Sequence, residues 1–273
     1  MLSEFLRIGT FSLSGYSFFY GLALLAGGLT IFLLASRERL DRLEIANYLL
    51  FGVIVSVLSA KLFGVVVFLW RARTYEILSQ RMLWHQFLQG GFFFGGLIAG
   101  LLYAVFYLRR YFQAAFWTML DITALGVSLG HAIGRVGCFL GGCCYGRPTS
   151  LPWGVRFKNL GPFPHPFKET PIHPTQLYEA VLDLINFFIL LFLWRRRKHD
   201  GRVTAFYLIN YGIIRFLIEY LRNDDGRGYV FKGASPLTSL SVPQLLSLGL
   251  IVGGVLILKK RRARSSSSIV PSS

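Results

Sequence analysis

The sequence predicts an all-α membrane protein, a polytopic bundle of about seven transmembrane helices. Three observations carry that prediction. The 273 residues are 53% hydrophobic and have a mean hydropathy of +0.52. Apolar runs of about 20 residues, the length that crosses a hydrocarbon core as a helix, recur along the chain. Short alternating segments, the pattern of a membrane barrel, do not occur.

The spans fall at about 17–35, 47–70, 91–108, 114–134, 176–194, 204–221 and 241–258. The first run is followed by Ser36-Arg37 without a small-residue cleavage site, so it reads as a membrane helix and not as a signal peptide. The fourth and sixth runs are the least apolar. The fourth holds Asp121 and runs into Gly134-Arg135, and the sixth holds Arg215 and Glu219. Residues 1–264 form the membrane-embedded domain in this reading, and the Ser-rich residues 265–273 form a disordered tail.

The net charge of +16 would point to nucleic acid in a soluble protein. Here the basic residues lie between and beyond the apolar runs, where topology and anionic membrane lipids account for them, and no nucleic-acid partner is expected. Dense clusters at Arg37-Arg39-Arg42, Arg109-Arg110, Arg195-Arg196-Arg197-Lys198 and Lys259-Lys260-Arg261-Arg262 share one side of a seven-span layout. The positive-inside rule places that side in the cytoplasm, so the amino terminus and the 135–175 loop lie outside.

Three segments concentrate groups able to do chemistry. In 134–149, five glycines accompany Arg135 and Arg147. Glycine lets a backbone turn sharply and approach a ligand, and arginine suits bidentate contact with phosphate. The segment reads equally as a headgroup cradle or as a tight re-entrant turn with snorkelling arginines. In 211–222, Arg215 and Glu219 are four apart and Arg222 is seven beyond Arg215, so the three share a helix face. Ionisable groups inside a span face a bundle interior or a wet cavity. The sharper reading is an anion site in which Glu219 orients Arg215; the plainer one is a pair that ties helices together. In 173–180, His173 opens the fifth span, as a base or, more simply, as a hydrogen-bonding residue.

Asp121 invites pairing, with Arg135 or Arg215 as candidate partners, because buried carboxylates pair, and a purely structural pairing is the favoured reading. Cys138, Cys143 and Cys144 lack the paired CxxC spacing of a strong zinc site. They read as small residues packing a turn, as a strained disulfide, or as a thiol activated by a neighbouring arginine.

These segments together resemble the prolipoprotein diacylglyceryl transferase family, bacterial membrane enzymes. The resemblance rests on G-R-V-G-C-F-L-G-G-C-C-Y-G-R-P-T (134–149), H-P-T-Q-L-Y-E-A (173–180) and Y-G-I-I-R-F-L-I-E-Y-L-R (211–222), in that order. Weaker matches are 90–100, Asp121, Tyr16 or Tyr20, and S-V-P-Q-L-L-S (241–247). The resemblance implies transfer of the diacylglyceryl group of phosphatidylglycerol to the lipobox cysteine of a prolipoprotein, in the bacterial inner membrane, without metal or organic cofactor. It implies that Arg135 and Arg215 hold the phosphate, with Glu219 and Arg222 in support. It places Tyr211, Asp121, Gly146, Cys138, His173 and Gln176 around the substrate. The chain departs from the family pattern at Cys138, Gly141 and Cys143, where the family has Asn, Asn and Glu. It departs again at Phe94, where His or Tyr is usual. Phe94 takes no proton, which leaves His131, His173 or a cysteine thiolate for that task. Rival readings are a paralogue with another acceptor or a cysteine-based redox role, and a non-enzymatic lipid transporter.

Overall fold

The computed structural model describes residues 6–8, 11–75, 93–157, 170–196, 199–223, 228–231, 233, 235 and 238–267. The order is β1 (Leu6–Ile8), β2 (Phe11–Leu13), α1 (Gly15–Arg37), α2 (Arg42–Tyr75), α3 (Phe93–Tyr111), α4 (Phe116–Gly141), α5 (Thr175–Arg195), α6 (Arg202–Glu219), β3 (Tyr229–Phe231), β4 (Leu240–Ser241) and α7 (Val242–Ser267). Each predicted span falls on one of these helices. Most helices run a few residues past the apolar run, because backbone hydrogen bonding continues into the interfacial layer after the hydrocarbon ends. The strands form two antiparallel hairpins, β1-β2 and β3-β4, which hydropathy had not marked.

Among the described residues, five helices, α1, α2, α4, α5 and α7, are long and apolar enough to cross a membrane. The residues described in α6 fall short because its 18 residues include Arg202, Arg215 and Glu219. Leucine, valine and phenylalanine side chains are exposed along α2, α5 and α7. Polar side chains such as Gln176, Glu179, Asp183 and Asn186 are buried instead. That inversion belongs to a bundle solvated by lipid. Helix α7 runs to Ser267, into the segment read as tail, and 268–273 lie outside the described residues.

The chain forms two compact units, Phe32–Met119 and Met1–Ile31 with Leu120–Ser273. In the first, α2 packs on α3 through small residues: a Cβ added to Gly96 would meet the Ser56 carbonyl at 2.8 Å. Tyr48, Tyr103 and Tyr107 cluster there, and the Tyr107 hydroxyl donates to Glu44 at 2.6 Å. Residues 90–92 and the side chain of Phe94 lie outside what is described.

The second unit holds every candidate site residue. Its α1 and α4 cross at Gly27 and Gly126, where a Cβ on Gly27 would meet the Gly126 carbonyl at 2.7 Å. Small residues let two backbones approach where lipid supplies no hydrophobic drive for association. Helices α6 and α7 pack in the same way at Gly212 and Gly254. The start of α7 is a capping box, in which Ser241 N–H donates to Gln244 Oε1 at 2.9 Å and Gln244 N–H donates to Ser241 Oγ at 3.3 Å.

Candidate active site

Helix α4 presents His131, Arg135 and Cys138 at intervals of four and three, so the three share one face. Helix α5 does the same with Gln176, Glu179 and Asp183, all buried. The helices run antiparallel and their polar faces meet rung by rung. His131 Nδ1 lies 2.9 Å from Asp183 Oδ2. One turn on, Arg135 Nε pairs with Glu179 Oε2. Beyond that, Gln176 Nε2 donates to the Cys143 carbonyl at 2.6 Å.

Helix α6 completes the second rung. Arg215 Nη1 donates to Glu179 Oε1 at 3.0 Å, and Arg215 Nη2 lies 2.8 Å from Glu219 Oε2. Arg135 and Arg215 therefore hold the two oxygens of one buried carboxylate. Their side chains are only 11% and 13% exposed, which places both charges in a largely water-free setting. A guanidinium carries five N–H donors. These pairs engage a single nitrogen of Arg135 and both terminal nitrogens of Arg215. Tyr211 stands over the first rung, its ring edge-on to His131 at 5.3 Å and stacked on Tyr207 at 5.8 Å.

A small platform caps these helix ends. Gly146 N–H donates to the His173 carbonyl, Arg147 N–H to the Leu221 carbonyl, and His173 N–H to the Arg147 carbonyl. Arg147 Nε also donates to the Arg222 carbonyl at 3.1 Å. The platform works only with glycine at 146: a Cβ there would sit 2.6 Å from both the His173 Cβ and its carbonyl oxygen. The His173 Nδ1 is 3.3 Å from the Tyr178 hydroxyl, which also accepts from Trp153. Burial pushes the His173 imidazole below its ordinary value.

A family model described as prolipoprotein diacylglyceryl transferase matches residues 3–259. The chain belongs to the prolipoprotein diacylglyceryl transferase family. It is 32% identical over 255 residues to the phosphatidylglycerol–prolipoprotein diacylglyceryl transferase of Clostridium tetani, covering 92% of this chain and 94% of that one. The enzyme of the same name from Pseudoalteromonas atlantica is 31% identical over 262 residues, covering 93% and 89%. The one from Vibrio cholerae is 33% identical over 247 residues, covering 88% and 85%.

Within this family member, Arg135, Arg215, Glu219, Tyr211 and Gln176 gather on the facing surfaces of three helices. Gly146, His173 and Arg222 build the platform. The expected pairing of Glu219 with Arg215 is present. Asp121 is a correction. Its Oδ2 accepts from Gly201 N–H at 2.8 Å, and its Oδ1 accepts from Thr204 N–H and Oγ1 at 2.7 and 2.6 Å. It caps the start of α6 and pairs with neither arginine. Fourteen helical residues separate it from Arg135, about 21 Å at 1.5 Å per residue. A carboxylate at a helix amino terminus satisfies otherwise unpaired N–H groups and the positive end of the dipole.

Glu179 is the residue that sequence reasoning passed over. Its signal was available: a carboxylate inside an apolar run, three after Gln176 and four before Asp183. The three cysteines are also closer than their spacing suggests, with all Sγ atoms within 4.8 Å of one another.

Proposed function

We propose that this chain transfers the diacylglyceryl group of phosphatidylglycerol to the lipobox cysteine of a prolipoprotein, within a membrane-embedded domain spanning 1–264. The bacterial inner membrane is its location, with the amino terminus outside and the carboxyl terminus cytoplasmic. The single observation that carries the reading is the convergence of Arg135 and Arg215 on Glu179 from three different helices.

The reaction needs the acceptor sulfur to attack a glycerol carbon while the bond from that carbon to a phosphate oxygen breaks. Negative charge grows on the departing phosphate. Arginines already fixed in place, in a site poor in water, stabilise that charge without reorganising. Glu179 and Glu219 hold Arg215 at both terminal nitrogens, which makes it a fixed wall of the site. Arg135, engaged through Nε, directs its remaining donors to the phosphate. His131, its ring oriented by Asp183 at Nδ1, takes the thiol proton at Nε2. Tyr211 and Gln176 line the lipid headgroup, and Arg222 supports the phosphate end. The curated relatives' names, which specify phosphatidylglycerol and prolipoprotein, support both substrates.

The test is incubation of the purified protein with phosphatidylglycerol and a lipobox peptide, followed by mass analysis. A peptide heavier by one diacylglyceryl group, with glycerol phosphate released, is expected. A correctly inserted protein that never modifies the peptide, and never rescues a strain depleted of its own transferase, overturns the reading.

A further inference from the structure

The three cysteines meet because of how α4 ends. Gly142 adopts a positive φ of 65°. Its N–H bonds the Phe139 carbonyl, and the Cys143 N–H bonds the Cys138 carbonyl. That pair of bonds is a Schellman motif, which folds the residue after the left-handed glycine back over the last helical turn. Cys143 is thereby laid against Cys138, with its Sγ 3.8 Å from the Cys138 carbonyl oxygen. Cys144 then takes a positive φ of 61°, which turns its side chain into the same group. Gln176 and Thr175 pin the Cys143 and Cys144 carbonyls at 2.6 and 2.8 Å.

Packing alone does not account for this arrangement. A left-handed φ costs an ordinary side chain about 1–2 kcal/mol, and Gly or Asn would relieve it at 144. Cys143 is exposed, so its thiol fills no core. We propose that Cys138, Cys143 and Cys144 form a three-thiolate site for zinc(II), with the fourth position open to an exogenous ligand.

The distances suit the ion. Thiolates about 2.3 Å from a tetrahedral zinc lie about 3.8 Å apart, so sulfurs already within 4.8 Å close on it by side-chain rotation. Thiolate donors favour zinc and other soft ions over magnesium or calcium. Three thiolates and a dication leave one net negative charge. Arg135, one helical turn before Cys138 on the same face of α4, supplies positive charge beside it. Among the described residues no His, Asp or Glu joins the group, which makes it a site with an open position and not a closed structural one.

The test is metal analysis of the full chain, purified in detergent under reducing conditions without chelator, with zinc(II) and cobalt(II) as probes. We expect one equivalent of zinc. On cobalt exchange, a sulfur-to-metal charge-transfer band and the visible bands of a tetrahedral ion should appear. Cys138→Ser, Cys143→Ser and Cys144→Ser should each abolish those bands. Cys144→Gly keeps the backbone relaxed at 144 and should abolish them too, separating loss of a ligand from misfolding. Failure of the reduced chain to take up either metal overturns the site, as does a purified chain lighter by the two hydrogens of a disulfide. Metal uptake is read without any transfer reaction, so failure of the transferase assay leaves this result intact.

Discussion

Arg135 and Arg215, on different helices, grip opposite oxygens of the Glu179 carboxylate, and Glu179 is only 3% exposed. One buried acid thus sets the spacing of the two cations proposed to hold the lipid phosphate. Removing one partner of a buried ion pair costs about 3–5 kcal/mol, because the charge left behind stays desolvated. Glu179→Gln strands Arg135 in this way and leaves Arg215 with Glu219 alone. The variant is expected to unfold at a lower temperature in detergent and to lose transfer activity. A double-mutant cycle of Glu179→Gln with Arg135→Gln should show strong coupling, since the second change removes a charge that the first stranded. Additive effects in that cycle would count against the bridge.

Arg135→Lys isolates geometry from charge. Lysine keeps the cation but loses the planar fork that contacts phosphate at two points. Loss of one preorganised donor to a developing anion lowers kcat by about a hundredfold to a thousandfold. Steady-state kinetics with phosphatidylglycerol and a lipobox peptide should place the loss mainly in kcat. An unchanged kcat would show that Arg135 does not stabilise the departing phosphate.

The parts of this site that were legible in the sequence are those that local geometry encodes. Arg215 and Glu219 are four apart on one helix, so their pairing follows from the helical repeat alone. The helices themselves were legible because crossing a bilayer demands length and apolarity together. Which helix faces face one another is not local information. Arg135 meets Glu179 across 44 positions of sequence, from one helix to another. The partner of Asp121 is non-local for the same reason: a buried acid needs a partner, and a helix amino terminus serves as well as a guanidinium. The cysteine spacing was uninformative because the cluster depends on the left-handed turn at Gly142, not on a CxxC loop.

Asp121 gives a test that separates folding from chemistry. Asp121→Ala removes the acceptors for Gly201 N–H and for Thr204. Loss of a helix cap costs about 0.5–2 kcal/mol. The denaturation midpoint in detergent should fall, while kcat per folded molecule stays at the parent value. Asp121→Asn should recover part of the stability, because an amide oxygen still accepts these bonds. A drop in kcat with unchanged stability would give Asp121 a part in the reaction itself.

His173 gives a pH dependence with a definite sign. Burial holds its imidazole below the ordinary value, so the folded chain resists protonation. The unfolded chain protonates at about pH 6.5. Below that pH the unfolded state therefore binds more protons, and stability falls as pH drops, until the folded imidazole also titrates. Thermal unfolding between about pH 7.5 and 5.5 should show this slope, and His173→Gln should flatten it. A folded-state His173 that titrates by NMR at or above about 6.5 reverses the sign and removes the argument.

Gly146→Ala probes the platform with one methyl group. The new Cβ would lie 2.6 Å from the His173 Cβ and carbonyl oxygen and 2.9 Å from the Leu221 carbonyl, and two of those three contacts are backbone. Backbone cannot rotate away as a flexible side chain does, so the bonds from Gly146 to His173 and from Arg147 to Leu221 must lengthen together. Overpacking of this kind costs about 1–3 kcal/mol. The same shift carries Arg222 and the start of α5 away from the arginine rung, and a displacement of about 1 Å in a reacting geometry can cost a hundredfold in rate. Transfer should therefore fall far more than the melting temperature does. Full activity in Gly146→Ala would mean that the segments joined at 146, 173 and 222 do not set the position of the reacting groups.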